Sequence, residues 1–221
     1  MSKMLWDQAG QKTYETGVEQ VALYKQVAGV YATGVPWNGV TALNITPSGA
    51  EPTPLYANDR KYLTLMSVEE VGATVEAYTY PEEWAECDGS KEVVPGVYIG
   101  QQGRSTFGLV GKTLIGNDAV GTKFGYKLHL LYGGLASPSE QANATVNDSP
   151  EAKTMSWEIS TTPVAVQGFE PTSYLCIDST KVDKVKLTAL EAILYGSDDV
   201  EPRLPLPDEV FTILGKNGDA T

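Results

Sequence analysis

The chain has 221 residues, of which 42% are hydrophobic, enough to bury a substantial core in one large domain or two small ones and too many for a disordered tail. Its 28 acidic and 16 basic side chains leave a formal net charge of -12, a field that repels nucleic acid and anionic membrane, and no Lys/Arg run of the kind that grips phosphates occurs. The opening residues hold no continuous apolar segment and nothing later is apolar for long enough to span a bilayer, so the sequence predicts neither secretion nor a membrane span.

Residues 8–16 are polar and predict a frayed start. Strands are predicted at 39–45 and 61–66. Residues 73–80 (ATVEAYTY) alternate, with Thr74, Glu76, Tyr78 and Tyr80 on one side and Ala73, Val75, Ala77 and Thr79 on the other. A very short helical turn is expected at 82–86, directly after Pro81. Strands follow at 97–100 and 107–114. Residues 124–132 (FGYKLHLLY) send Phe124, Tyr126, Leu128, Leu130 and Tyr132 to one face, with Lys127, His129 and Leu131 opposite. Residues 155–161 (MSWEIST) group Met155, Trp157 and Ile159, and a last strand is predicted at 173–177. Turn pairs such as Asn38-Gly39, Ser48-Gly49, Asp88-Gly89 and Gly133-Gly134 separate these segments.

Residues 183–195 are the one clear helix: Val185, Leu187, Leu190, Ile193 and Leu194 recur at helical spacing and Gly196 can end it. Pro202, Pro205 and Pro207 predict an extended, partly pinned segment over 197–208 without regular structure, and 216–221 reads as a second frayed end. Many strands with little helix predict a mainly β chain, a sandwich or barrel rather than an alternating α/β fold.

No constellation carries obvious chemistry. The sole histidine, His129, sits in a strand with Lys127 and Leu131 on its face, so a structural or interface role is expected; a Cys-His pair with Cys87 or Cys176 would have to be assembled by the fold. The two cysteines are isolated and lack metal-ligand spacing, which predicts reduced, partly buried thiols, with a single disulfide between them as the alternative. Adjacent carboxylates such as Glu69-Glu70 and Glu82-Glu83 fit a solvated surface better than a glycosidase pair, although Trp84 and Trp157 stand beside Glu83 and Glu158. Gly111-Lys112-Thr113 copies the end of a phosphate-binding loop but lacks its spacing and its strand-loop-helix setting. The triplets at Asn44, Asn143 and Asn147 match glycosylation acceptors only formally. No cofactor, metal or catalytic group is expected.

The stretches GVPWNGVT (34–41), PSGAEPTPLYANDRKY (47–62), EAYTYPEEWAECDG (76–89), GVYIGQQGRSTFGL (96–109), GYKLHLLYG (125–133), NDSPEAKTMSWEISTTPV (147–164) and LPLPDEV (204–210) resemble, in order, those of the major tail tube proteins of long-tailed, non-contractile phages of Gram-positive bacteria. IGND (115–118), PSE (138–140) and the late LYG (194–196) extend the resemblance over most of 17–214. It implies a β-sandwich or barrel-like domain over 1–221 with one flanking helix (about 183–195), extended loops or arms, and flexible ends at about 1–16 and 215–221. It further implies six-copy rings closing an inner β-barrel and stacking helically in the virion tail, after assembly in the host cytoplasm. The implied partners are further copies of the chain, with tail terminator, distal tail and tape measure proteins. Phage DNA would pass through the lumen without specific binding, and no membrane is involved.

In that setting Glu76 is a candidate for an inward, DNA-repelling wall, which Lys127 and His129 would contradict if they shared it. Arg60, Lys61 and Arg104 are candidates for pairing with acidic patches of neighbouring subunits. Trp37 and Trp84 are candidate exposed aromatics at a contact surface. The alternatives are a related tail terminator or distal ring protein, or a carbohydrate-binding β-sandwich on the virion surface that would use those same aromatics.

Overall fold

Residues 3–145 and 152–215 are described by the computed structural model of the chain, and 53% of the chain lies in strands, so it is mainly β with minor helices. In chain order the elements are β1 (Thr13–Val27), β2 (Val30–Pro36), β3 (Val40–Gly49), β4 (Pro52–Ala57), β5 (Arg60–Met66), β6 (Glu69–Ala77), α1 (Trp84–Asp88), β7 (Lys91–Val94), β8 (Val97–Ile99) and β9 (Phe107–Asn117). They continue with β10 (Gly121–Ala136), β11 (Met155–Thr161), β12 (Val164–Val166), β13 (Phe169–Thr172), β14 (Tyr174–Asp178), α2 (Lys184–Tyr195) and α3 (Pro207–Leu214).

Eight strands make one antiparallel ladder in the order β2-β1-β9-β10-β11-β6-β3, with β14 also on β10. The first part of β10 pairs with β14 through Leu131, and its last residues, Gly134 to Ala136, pair with β11. This handover lets β11, β6 and β3 fold back over β1 and β9. Leu43 of β3 lies so close to Gly111 of β9 that a Cβ there would collide with its side chain. Among the described residues the ladder ends at β2 and β3 and does not close into a barrel.

Two cores result, one on each face of β1, β9 and β10. The inner core collects Leu23, Val75, Leu109, Leu131 and Ile159 around Trp37, Trp84, Phe107 and Trp157. The outer core packs Tyr24, Val110, Leu128, Leu130 and Tyr132 beneath α2 and α3 through Leu187, Leu190, Leu194 and Val210, each such apolar side chain contributing roughly 1.5–3 kcal/mol. The Asp183 carboxylate caps α2 by accepting from the amides of Val185 and Lys186 at 3.0 and 3.1 Å. Val185, assigned to the apolar stripe from its spacing, is instead exposed.

Two further expectations change. Thr13 to Thr16, read as part of a frayed end, pair with Leu114 to Asn117 in β1, and the Asp118 carboxylate accepts from the Gly10 amide at 3.0 Å. The proline-rich segment is pinned as expected, by a bridge between Leu204 and Tyr31 and by the Gly34 amide donating to the Pro202 carbonyl. It ends, however, in a helix. Pro207 occupies the first turn of α3, where its missing N–H costs nothing, and Asp208 and Glu209 complement the positive helix end. The Arg203 guanidinium grips the Glu209 carboxylate through two bonds of 2.8 and 2.5 Å, which hold that carboxyl below the usual carboxylate range. Residues 216–221 and Asn147 lie outside the described residues. Among the described residues no helix is long and apolar enough to cross a membrane.

Candidate assembly surfaces

Strands β4 and β5 form a hairpin in which every residue is exposed. Its turn is Asn58-Asp59, both at positive φ (50° and 58°), the geometry that matches the twist of a two-residue hairpin and that Asn and Asp tolerate. Opposed residues Leu55 and Leu63 share one face with Leu65. Tyr56, Tyr62 and Met66 are about 70% exposed. An isolated two-stranded hairpin is marginal in water, and this one leaves each of its large apolar side chains exposed, from 38% at Leu63 to 72% at Tyr62. Arg60 and Lys61, the predicted contact cations, stand beside its turn, and neither forms an ion pair among the described residues. A second hairpin, β7 with β8, is likewise exposed throughout, with Val93, Val94, Val97, Tyr98 and Ile99 uncovered.

Glu76 lies on the side of β6 away from the inner core. Ala42, Glu76 and Ser156 form one row across β3, β6 and β11; Asn44, Thr74 and Glu158 form the next, and Ser48 opposes Glu70. None of these three strands contains a Lys or Arg, so this face is polar and acidic. Lys127 and His129 lie elsewhere, on β10, where Lys127 pairs with Glu15. Strand β10 has Leu128 and Leu130 in the outer core and Leu131 in the inner one.

Arg104 is committed inside the chain. Its guanidinium donates to the Ala136 carbonyl at 2.8 Å and lies 3.7 Å from the Asp88 carboxylate, tying the segment before β9 to α1. Trp37 and Trp84, expected at the surface, are 3% and 0% exposed. Their rings stand 4.6 Å apart, and each lies 5.5 Å from Trp157. The aromatic platforms that sugar binding was expected to use are therefore core.

The fold does set Cys176 opposite His129 in the β10–β14 register. The imidazole is already engaged: Nε2 lies 2.8 Å from Thr113 Oγ1 and Nδ1 lies 2.7 Å from the Tyr174 hydroxyl. A neutral ring serves both by donating at one nitrogen and accepting at the other. Burial lowers its pKa from the ordinary 6.5, Lys127 adding to this and Glu15 opposing it. A depressed folded pKa means that the unfolded chain takes up the proton first as pH falls. The contribution of His129 is therefore complete above 6.5 and shrinks as pH drops towards the folded pKa. Urea midpoints compared at about pH 7.5 and 5.5 should fall less in His129→Gln than in the parent; equal falls would contradict this placement.

Both cysteines are free, Cys87 buried and Cys176 exposed, which corrects the expected partial burial of the second. Burial pushes the Cys87 thiol up to about 12, leaving almost no thiolate at neutral pH. A thiol reagent should label Cys176 at once and Cys87 only on unfolding. Equal native rates would show that the α1 region does not shield its thiol.

Of the two exposed hairpins the sequence showed one strand each, at 61–66 and 97–100; the unread signal for the first was the Asn58-Asp59 turn between Ala57 and Arg60. No family model matches the chain, and no curated protein matches it.

Proposed function

We propose that this chain is a virion structural protein, the repeating subunit of a non-contractile phage tail tube, which polymerises as stacked six-copy rings into a conduit for DNA and performs no catalysis. The observation that carries the reading is the hairpin from Pro52 to Met66, whose apolar side chains are all exposed in a single chain. Such a surface is a liability unless another chain covers it. The resemblance along 17–214 supplies the identity of the assembly, with the curled sheet as its sandwich-like body.

The mechanism is electrostatic and steric. The face bearing Glu70, Glu76 and Glu158 is the proposed lumen wall: fixed carboxylates repel phosphates, so the enclosed genome slides without sticking. Terminator, distal tail and tape measure proteins would meet the tube at its ends or in its bore.

Negative-stain microscopy of the concentrated protein tests the reading. Tubes of variable length are expected. A single closed ring of fixed height would instead indicate a terminator or distal component, and persistent monomers would remove the assembly role.

A further inference from the structure

We propose that Asn38-Gly39, the turn joining β2 to β3, modifies itself: the Gly39 nitrogen attacks the Asn38 side-chain amide, ammonia leaves, and the succinimide ring that forms opens chiefly to isoaspartate.

The reaction needs a following residue without a Cβ, a free backbone amide and an unrestrained carboxamide, and the fold supplies all three here. Gly39 presents no side chain beside the attacking atom. Its amide donates no hydrogen bond among the described residues, and Asn38 is exposed with its carboxamide likewise unbonded. Other asparagines differ. Asn117 is 5% exposed, and its side-chain oxygen accepts from the amides of Ala119 and Val120 at 3.1 and 2.8 Å. Asn44 lies within β3 and precedes the branched Ile45. Asn58 precedes Asp59 and Asn143 precedes Ala144, while the second Asn-Gly pair, at 217–218, lies outside the described residues.

The chemistry balances with water alone. A bond forms from the Gly39 nitrogen to Cγ of Asn38, the Cγ–Nδ2 bond breaks, and the Gly39 amide proton departs on the ammonia. Both groups belong to adjacent residues, so the step is intramolecular and needs no binding event. Water then opens the ring at either carbonyl. Opening at the side-chain carbonyl leaves aspartate. Opening at the main-chain carbonyl leaves isoaspartate, whose backbone runs through Cβ and Cγ and is longer by one carbon–carbon bond, about 1.5 Å.

The position gives that extra length a consequence. Strands β2 and β3 are the two ends of the ladder, so the turn is the short link across its open seam. It is held on both sides. The Trp37 amide donates to the Val21 carbonyl at 2.8 Å, the Trp37 indole to the Thr79 carbonyl at 2.8 Å, and the Tyr78 amide to the Gly39 carbonyl at 2.9 Å. A backbone lengthened between these fixed points strains all three bonds, and isoaspartate therefore loosens Trp37, whose ring packs on Trp84 and Trp157. Each converted chain also gains one negative charge at the seam.

Warm incubation of the full chain at mildly alkaline pH, which favours loss of the amide proton, followed by peptide mapping tests the site. In the native chain Asn38 should convert at least about tenfold faster than Asn44 or Asn117, with isoaspartate the main product. Asn38→Gln, which would have to close a larger ring, should stay intact at residue 38 over the same period. Fresh Asn38→Asp carries the new charge on a normal backbone, so the aged parent should melt below it, by a margin that grows with isoaspartate content. Conversion at Asn38 no faster than at Asn44 or Asn117 overturns the site. An aged parent that melts together with fresh Asn38→Asp overturns the loosening of the seam. Neither outcome depends on polymerisation, so the tube reading stands or falls separately.

Discussion

Trp84→Ala should lower the unfolding free energy by roughly 3–5 kcal/mol, the range for removing a large buried aromatic. Trp84 is fully buried and is the hub of the inner core, with Trp37 at 4.6 Å, Phe107 at 5.0 Å and Trp157 at 5.5 Å. It sits on α1, five residues long, too short to be stable alone, so the ring anchors the helix as well as filling the core. Trp84→Phe should cost far less, because the indole N–H it removes has no hydrogen-bond partner among the described residues and its loss relieves a desolvated donor. The Trp157 indole, by contrast, opposes the rise that burial imposes on the Asp88 carboxyl, as the Arg104 guanidinium does more strongly. Urea unfolding of the two Trp84 variants separates volume from polarity. Equal losses would show that the unpaired N–H is not a burden.

Gly133→Val should destabilise the chain by roughly 3 kcal/mol or more, the sum of overpacking and a strained backbone. Gly133 has φ +60°, and a Cβ there would overlap the Thr162 carbonyl oxygen. Its neighbours cannot yield: the Gly133 amide donates to the Tyr31 hydroxyl at 2.8 Å, and its carbonyl accepts from Thr162 at 2.9 Å. This is also where β10 passes from β14 to β11, so the strain falls on the joint that turns one half of the sheet over the other. Gly134→Ala should be milder, since Gly134 has no left-handed backbone and the atoms nearest its Cβ belong to the ring of Phe107, at 2.9 Å, rather than to a backbone carbonyl. If Gly133→Val unfolds at the parent's urea midpoint, the joint is more plastic than this geometry allows.

Legibility followed how far each residue's environment is local. Strand β11 was readable to its end residues because Trp157 and Ile159 alternate with exposed Ser156 and Glu158 on an unbroken ladder. Helix α2 was readable from its cap and its leucines. Strand β1 was missed because Val21, Ala22, Leu23 and Tyr24 are all buried, two on each core, and register shifts with a positive φ at Gln20 interrupt its alternation. Helix α3 was missed because Pro207 was taken as a breaker when it is a starter. The fate of the candidate residues depended on distant partners. Trp37 and Trp84 each have a polar neighbour in sequence, Asn38 and Glu83, and meet only when the end of β2 and α1 converge on Trp157. Arg104 looked free until the fold brought it the Ala136 carbonyl. Arg60 and Lys61 keep the exposure expected of contact residues, because the hairpin carrying them leaves the body of the chain.

The central claim is that this fold is a building unit whose useful surface exists only between copies, and cryo-electron microscopy of the concentrated full-length protein tests it most directly. The account predicts stacked six-fold rings around a continuous bore, with Glu70, Glu76 and Glu158 facing the lumen. Particles that remain single chains, or tubes whose bore is lined by Lys and Arg, would contradict it.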